Sequence, residues 1–256
     1  MVSDQGSRAG SRAIEVSDLE KRFGEIMALD GLSFKVSWGE VFGLLGPNGA
    51  GKTTTINILC GILTPDGGTA TVAGYDVQSE AAEIKEMIGV SPQEPAFYPY
   101  LTGRENIELM GNLHCLPGPE IKKRTEDLIE KVGLAGGSRR KASGYSGGMV
   151  RRTSLAMALV QDPDIAFLDE PTVGMDPQSR RATWDLIREL KERGKTVILT
   201  THYIEEAEAL ANRVGIIDYG KLIALDTPKA LMEEHGAKDL EEVFIELTGR
   251  RIREEI

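Results

Sequence analysis

The sequence predicts an α/β domain with a mostly parallel central sheet, a small N-terminal antiparallel β subdomain and an inserted α-helical subdomain. Three observations carry that prediction. Through the centre of the chain, short apolar runs alternate with amphipathic helical stretches, the pattern of a layered α/β fold. The opening segment alternates residue by residue instead. Between these two regimes, a long stretch with helical periodicity and its own proline breaks interrupts the series of short runs.

Ile14, Val16 and Leu19, then Leu32, Phe34 and Val36, then residues 69–73 repeat at period two, which predicts short strands with no helix between them and hence an antiparallel sheet. Residues 41–45 begin the α/β part. Residues 88–90, 165–168, 197–200 and 214–217 are compact, apolar and bounded by turn or helix signals, as strands buried on both faces are. From Gln93 to about Val160 the pattern is helical. There Ile121, Leu128, Ile129 and Val132 share one face, with Pro117, Gly118 and Pro119 as the break before them. The expected division is one domain over residues 12–248: the β subdomain and first part of the core over 12–92, the helical subdomain over 93–160 and the rest of the core over 161–235. Residues 236–256 are expected to be a short C-terminal extension. The first 11 residues are polar, lack the apolar centre of a secretory signal and read as a disordered leader.

With 256 residues, 41% of them hydrophobic and 27% charged, the chain can bury a large core. A formal net charge of -10 opposes nucleic acid as a default partner, and none is expected. Cys60 and Cys115 lack the paired spacing of a zinc or redox motif and read as reduced thiols of a cytosolic protein. No apolar stretch approaches the roughly 20 residues needed to span a bilayer, so a soluble chain is expected.

The strongest local signal is the run Gly46, Pro47, Asn48, Gly49, Ala50, Gly51, Lys52, Thr53, set between an apolar strand and a helix-compatible segment. Glycines let such a loop curl until successive N–H groups face phosphate oxygens, and the following helix adds the positive end of its dipole. Lys52 is placed to neutralise β- and γ-phosphates. Thr53 can coordinate Mg²⁺, and Thr54 can add a phosphate contact from the first helical turn. The glycines do not follow the spacing of a dinucleotide loop, and a lysine directly after the last one points to a P-loop NTPase core.

Downstream, the apolar run 165–168 delivers Asp169 and Glu170 to its C-terminal end, where open α/β sheets bind ligands. Asp169 fits a Mg²⁺ shell, and Glu170 fits a general base holding water. His202 ends the next apolar run and can orient that water and reach the γ-phosphate, whereas His114 and His235 read as ordinary polar positions.

Taken together, residues 12–248 resemble an ABC ATPase subunit. Besides the Walker A run at 46–53 and the Walker B run at 165–170, Gln93 in SPQEP resembles the Q-loop and residues 145–149, YSGGM, resemble the signature. Residues 174–177, GMDP, resemble the D-loop, and His202 in TTHYIEEAE resembles the switch histidine. Phe23 occupies the place of the adenine-stacking aromatic. Tyr145, Met149 and Phe23 depart from the commonest residues without removing a phosphate ligand. The resemblance implies an ATPase that binds ATP and Mg²⁺. It implies that Gln93 takes part in holding nucleotide, metal and attacking water. It also implies that Ser146, Gly147 and Gly148 close on the γ-phosphate held by another subunit, with Asp176 near the two-fold axis. The partners so implied are a second ATPase subunit, identical or similar, and an integral membrane permease that holds the chain on the inner face of the cell membrane. Pro95, Phe97, Tyr98, Tyr100 and Leu101 would then meet the permease. The YSGGM form and the segment DLEEVFIELTGR resemble ATPases of ABC-2 type exporters. The competing expectation is a non-transport ABC ATPase of iron-sulfur assembly, DNA repair or translation. The short interval from Gln93 to Ser146 and the single nucleotide domain weigh against it.

Overall fold

Alternation in the first segment extends further than its apolar residues alone suggest: β1 (Arg12–Phe23) and β2 (Ile26–Ser37) form one long antiparallel hairpin turned at Gly24, whose φ is 58°. The residues that predicted the strands face each other across it, Ile14 opposite Val36, Val16 opposite Phe34 and Leu19 opposite Leu32. The chain then enters a second sheet at β3 (Val41–Leu45), passes the glycine loop into α1 (Lys52–Leu59), and returns to the first sheet as β4 (Gly67–Val72) and β5 (Tyr75–Asp76). A helix therefore does separate the predicted strands: β4 reaches β1 from beyond α1, giving the order β2-β1-β4-β5. Period two reports that a segment is a strand, and nothing about what lies between it and its partner. The computed structural model describes residues 12–249, so the expected leader and the end of the expected extension lie outside the described residues.

After α2 (Ala81–Met87) comes β6 (Ile88–Ser91), at the edge of the second sheet. The helical subdomain follows as α3 (Gly103–Leu113), α4 (Gly118–Lys131) and α5 (Gly147–Leu159). The remainder alternates: β7 (Ile165–Asp169), α6 (Pro177–Glu192), β8 (Thr196–Thr201), α7 (Ile204–Leu210), β9 (Arg213–Asp218), β10 (Lys221–Asp226), α8 (Pro228–His235) and α9 (Leu240–Thr248). The order of the central sheet is β10-β9-β3-β8-β7-β6. Its β9-β3-β8-β7-β6 part is parallel and β10 is an antiparallel edge.

Both faces of that sheet are buried, which is why its strands read as unbroken apolar runs. Phe42, Leu44, Phe167 and Ile198 point into a core shared with the β subdomain, where Phe34 stacks on Phe42 at 5.2 Å between ring centroids. Their neighbours Val41, Ala166, Leu168, Val197 and Leu199 point the other way, onto Leu155, Leu159, Leu186 and Ile187 of α5 and α6. A third cluster closes the β9 side. There Leu240, Val243 and Phe244 of α9 cover Leu45, Ala207, Val214 and Ile216. The tail that the sequence reading set aside as an extension thus begins by completing the core.

Candidate active site

The strand β3 ends where the glycine loop starts, and the loop's backbone takes conformations that side chains resist: φ is 80° at Gly49 and 108° at Gly51. Gly51 is the N-cap of α1 and no side chain caps that end. The first amides of α1 are therefore left for an anion. Lys52, buried at the first position of α1, donates from Nζ to the carbonyls of Gly46 at 2.7 Å and Pro47 at 3.1 Å. Burial lowers its pKa, opposed by the nearby Glu170 and Asp169 carboxylates.

Asp169 closes β7 and is buried. Burial raises its pKa, partly offset by hydrogen bonds from the Thr200 and Thr53 hydroxyls. At the next residue the chain turns sharply. Glu170 adopts φ 51°, a left-handed conformation uncommon outside glycine, held by its N–H donating to the Thr200 carbonyl at 3.1 Å and to Thr200 Oγ1 at 3.0 Å. Its side chain is the hub of the site. Gln93 Nε2 donates to Glu170 Oε2 at 3.4 Å, and His202 Nδ1 lies 3.2 Å from Glu170 Oε1, at ion-pair distance but outside hydrogen-bond alignment. Burial pushes the Glu170 pKa up, but His202, Lys52 and Arg151 together outweigh it and hold the carboxyl below its ordinary value. Glu170 is therefore a carboxylate at neutral pH.

Gln93 also accepts from Thr53 Oγ1 at 3.3 Å, so its amide bridges the glycine loop and the Glu170 carboxylate. A cavity of about 280 Å³ is lined by Phe23, Ala28, Asn48, Gly49, Gly51, Lys52, Thr53, Thr54, Gln93 and Glu170. Asp169 stands behind it, hydrogen-bonded to Thr200. Ala50 is buried, and Gly46 is pressed so closely by the Ile217 carbonyl that a Cβ there would lie 2.5 Å from it. Phe23 is 48% exposed at the end of β1, on the rim where a planar base can stack. Thr53, Gln93 and Asp169 supply oxygen donors around one locus. Among the described residues no group of three or more His, Cys, Asp or Glu can hold a metal by itself. That donor set suits Mg²⁺, which takes few protein oxygens and draws the rest from phosphate and water.

The signature residues do not line this cavity. Ser146 is the N-cap of α5, its Oγ accepting from Met149 N–H at 3.4 Å, and a Cβ on Gly148 would lie 3.5 Å from the Gly174 carbonyl of the D-loop segment. Asp176 caps α6, accepting from the N–H groups of Gln178 and Ser179 and from Ser179 Oγ at 2.6 Å. Ser146, Gly147, Gly148 and Asp176 thus form a second locus around one pair of helix starts. Sequence reasoning missed Ala28 on the cavity wall, Thr200 under both carboxylates, and Arg151. Thr200 alone had a signal, as a polar residue near the end of an apolar strand that lies beside β7.

A glycine-loop anion cradle beside a carboxylate pair on the parallel sheet edge defines a nucleoside-triphosphate-binding P-loop domain. The chain belongs to the ABC transporter family: the family model described as ABC transporter matches residues 29–173, more than half of it. Among curated relatives, the daunorubicin resistance ATP-binding protein DrrA3 of Streptomyces coeruleorubidus is 45% identical, covering 91% of this chain and 74% of that protein. The linearmycin resistance ATP-binding protein LnrL of Bacillus subtilis (strain 168) is 43% identical, covering 94% and 76%. A solved ATP-binding subunit of an ABC transporter superposes with a TM-score of 0.85 at 28% identity, covering 92% of this chain and 99% of that one. An ATP-binding cassette solved as a dimer in a post-hydrolysis state with ADP and Pi gives 0.78 at 27% identity, covering 84% and 98%.

Proposed function

We propose that this chain is the Mg²⁺-dependent ATPase of an ABC-2 type exporter, working as a dimer on the cytoplasmic face of the cell membrane through a separate permease. The observation that carries the reading is the convergence of Gln93, His202 and Lys52 on Glu170, with Gln93 tied in turn to Thr53 of the glycine loop. Phe23 stacks on the base, the loop amides and Lys52 hold the phosphates, and Thr54 adds a hydroxyl. When bound, Mg²⁺ neutralises charge on the β- and γ-phosphate oxygens, held by Thr53, Gln93 and Asp169. Gln93 and His202 orient a water against Glu170. As its oxygen bonds to the γ-phosphorus and the bond to the leaving ADP oxygen breaks, Glu170 takes the water's proton. Burial of the site makes each of these charges count for more than it would in water.

The second locus lies outside the cavity that this reading assigns to the phosphates. It is completed by another copy, whose Ser146, Gly147 and Gly148 meet the γ-phosphate held at Lys52 while Asp176 lies near the two-fold axis. Relatives that confer drug resistance support export. No helix among the described residues is long and apolar enough to cross a membrane, which fits a separate permease. Tyr98 and Tyr100, 59% and 81% exposed beside the Gln93 loop, offer that permease an apolar hold.

The test is light scattering on a sizing column, with and without Mg-ATP. Glu170→Gln should become dimeric only with ATP and hydrolyse it about 10²-fold or more slowly, while Lys52→Ala should bind nucleotide poorly and stay monomeric. A Glu170→Gln protein that hydrolyses at the wild-type rate would remove the general-base role.

A further inference from the structure

Gln93 touches the P-loop and Glu170 at once, yet neither contact fixes its backbone. That work falls to α5. Arg151, in the second turn of α5, is buried, and its Nη1 donates to the carbonyl of Gln93 at 2.7 Å and to that of Pro92 at 3.1 Å. One turn further along, Ser154 Oγ lies 3.2 Å from Ser91 Oγ at the end of β6. The helix therefore grips the exit of β6 and the start of the Gln93 loop at two successive points on one face. A guanidinium suits this place, because it stays charged when buried and presents several donors in a fixed plane.

The other end of α5 is Ser146, the N-cap at the second locus. Five residues along a helix span about 7.5 Å, so Arg151 and Ser146 move as one rigid piece. We infer that Arg151 is a positioning residue for hydrolysis, fixing Gln93 against Thr53 and Glu170 and thereby making the active-site amide follow the signature helix. This rests on the ATPase reading above. A displacement of α5 at Ser146 is passed through Arg151 to the backbone of Gln93, so the hydrolytic site is set only when the signature helix is in place.

The experiment is a double-mutant cycle on the full chain, with steady-state Mg-ATP hydrolysis, affinity for a fluorescent ADP analogue and thermal unfolding measured for each protein. Arg151→Met should lower kcat by about tenfold to 10²-fold, with KM and the nucleotide affinity changed by less than about threefold. In a Gln93→Ala background the same substitution should change kcat by less than about twofold. Arg151→Lys keeps one charged donor, and its kcat should lie between wild type and Arg151→Met. It carries the test if Arg151→Met does not fold. Wild-type kcat in both Arg151 variants, or an undiminished effect in the Gln93→Ala background, would overturn the inference alone. Wild-type kcat in Gln93→Ala would overturn the inference and the underlying role of Gln93 together.

Discussion

Glu170 and Asp169 are neighbours in sequence and opposites in electrostatics. Glu170 is kept ionised by His202, Lys52 and Arg151 around it, whereas burial makes ionisation of Asp169 costly. Because the folded pKa of Asp169 lies above its unfolded value, folding favours its protonated form. Its stabilising contribution is present at low pH and lost as pH rises through the folded value. Asp169→Asn should therefore be more stable than wild type at pH 7 by roughly a few degrees in Tm, with the gap closing as the pH is lowered toward 4. The mutant keeps the acceptor for Thr200 but loses the charge that the proposed Mg²⁺ site would use, so it should hydrolyse ATP poorly. A Tm difference independent of pH would contradict this account. Glu170 has the reverse dependence, since its folded pKa is depressed and its contribution is lost as pH falls.

At the level of elements, the junction of β6 with α5 has the least room to adjust. A Cβ on Gly89 would lie 2.0 Å from the backbone carbonyl of Ala158, so strand and helix touch main chain to main chain. Gly89→Ala must push α5 away from β6, at a cost of about 1–3 kcal/mol. It should lower Tm and also reduce kcat more than nucleotide affinity, because α5 carries Arg151. Unchanged thermal unfolding would show that the helix moves freely. The sequence makes β3, β6, β7, β8 and β9 legible because burial on both faces leaves an unbroken apolar signature. It hides β10, whose burial alternates and whose pairing comes from the turn after β9. It also hides Arg151, since a buried cation bound to two carbonyls looks like any arginine on a helix.

For the whole molecule, the C-terminal helix α9 decides how well the P-loop strand is covered. Phe244 is fully buried against a cluster that includes Leu45, the last residue of β3. Phe244→Ala should destabilise by about 3–5 kcal/mol, read as a lowered Tm, with nucleotide affinity unchanged at temperatures where the protein is folded. A Tm within about a degree of wild type would mean that α9 is dispensable. This packing was illegible because α9 is short and its partners lie far back in the chain. The glycine loop, the two carboxylates and His202 were legible because each ends a recognisable strand.

The two departures in the YSGGM segment have one destination. Tyr145 accepts from the Gly103 N–H and donates to the Gly137 carbonyl at 2.9 Å, while Met149 Cε lies where a Cβ on Gly137 would be, at 2.4 Å. A Cβ on Gly103 would meet the Tyr145 hydroxyl at 2.4 Å. Positions 103, 137, 145 and 149 are thus packed as one unit. Among relatives, tyrosine at 145 should travel with glycine at 103, and a lineage that exchanged tyrosine for leucine would free position 103 to drift.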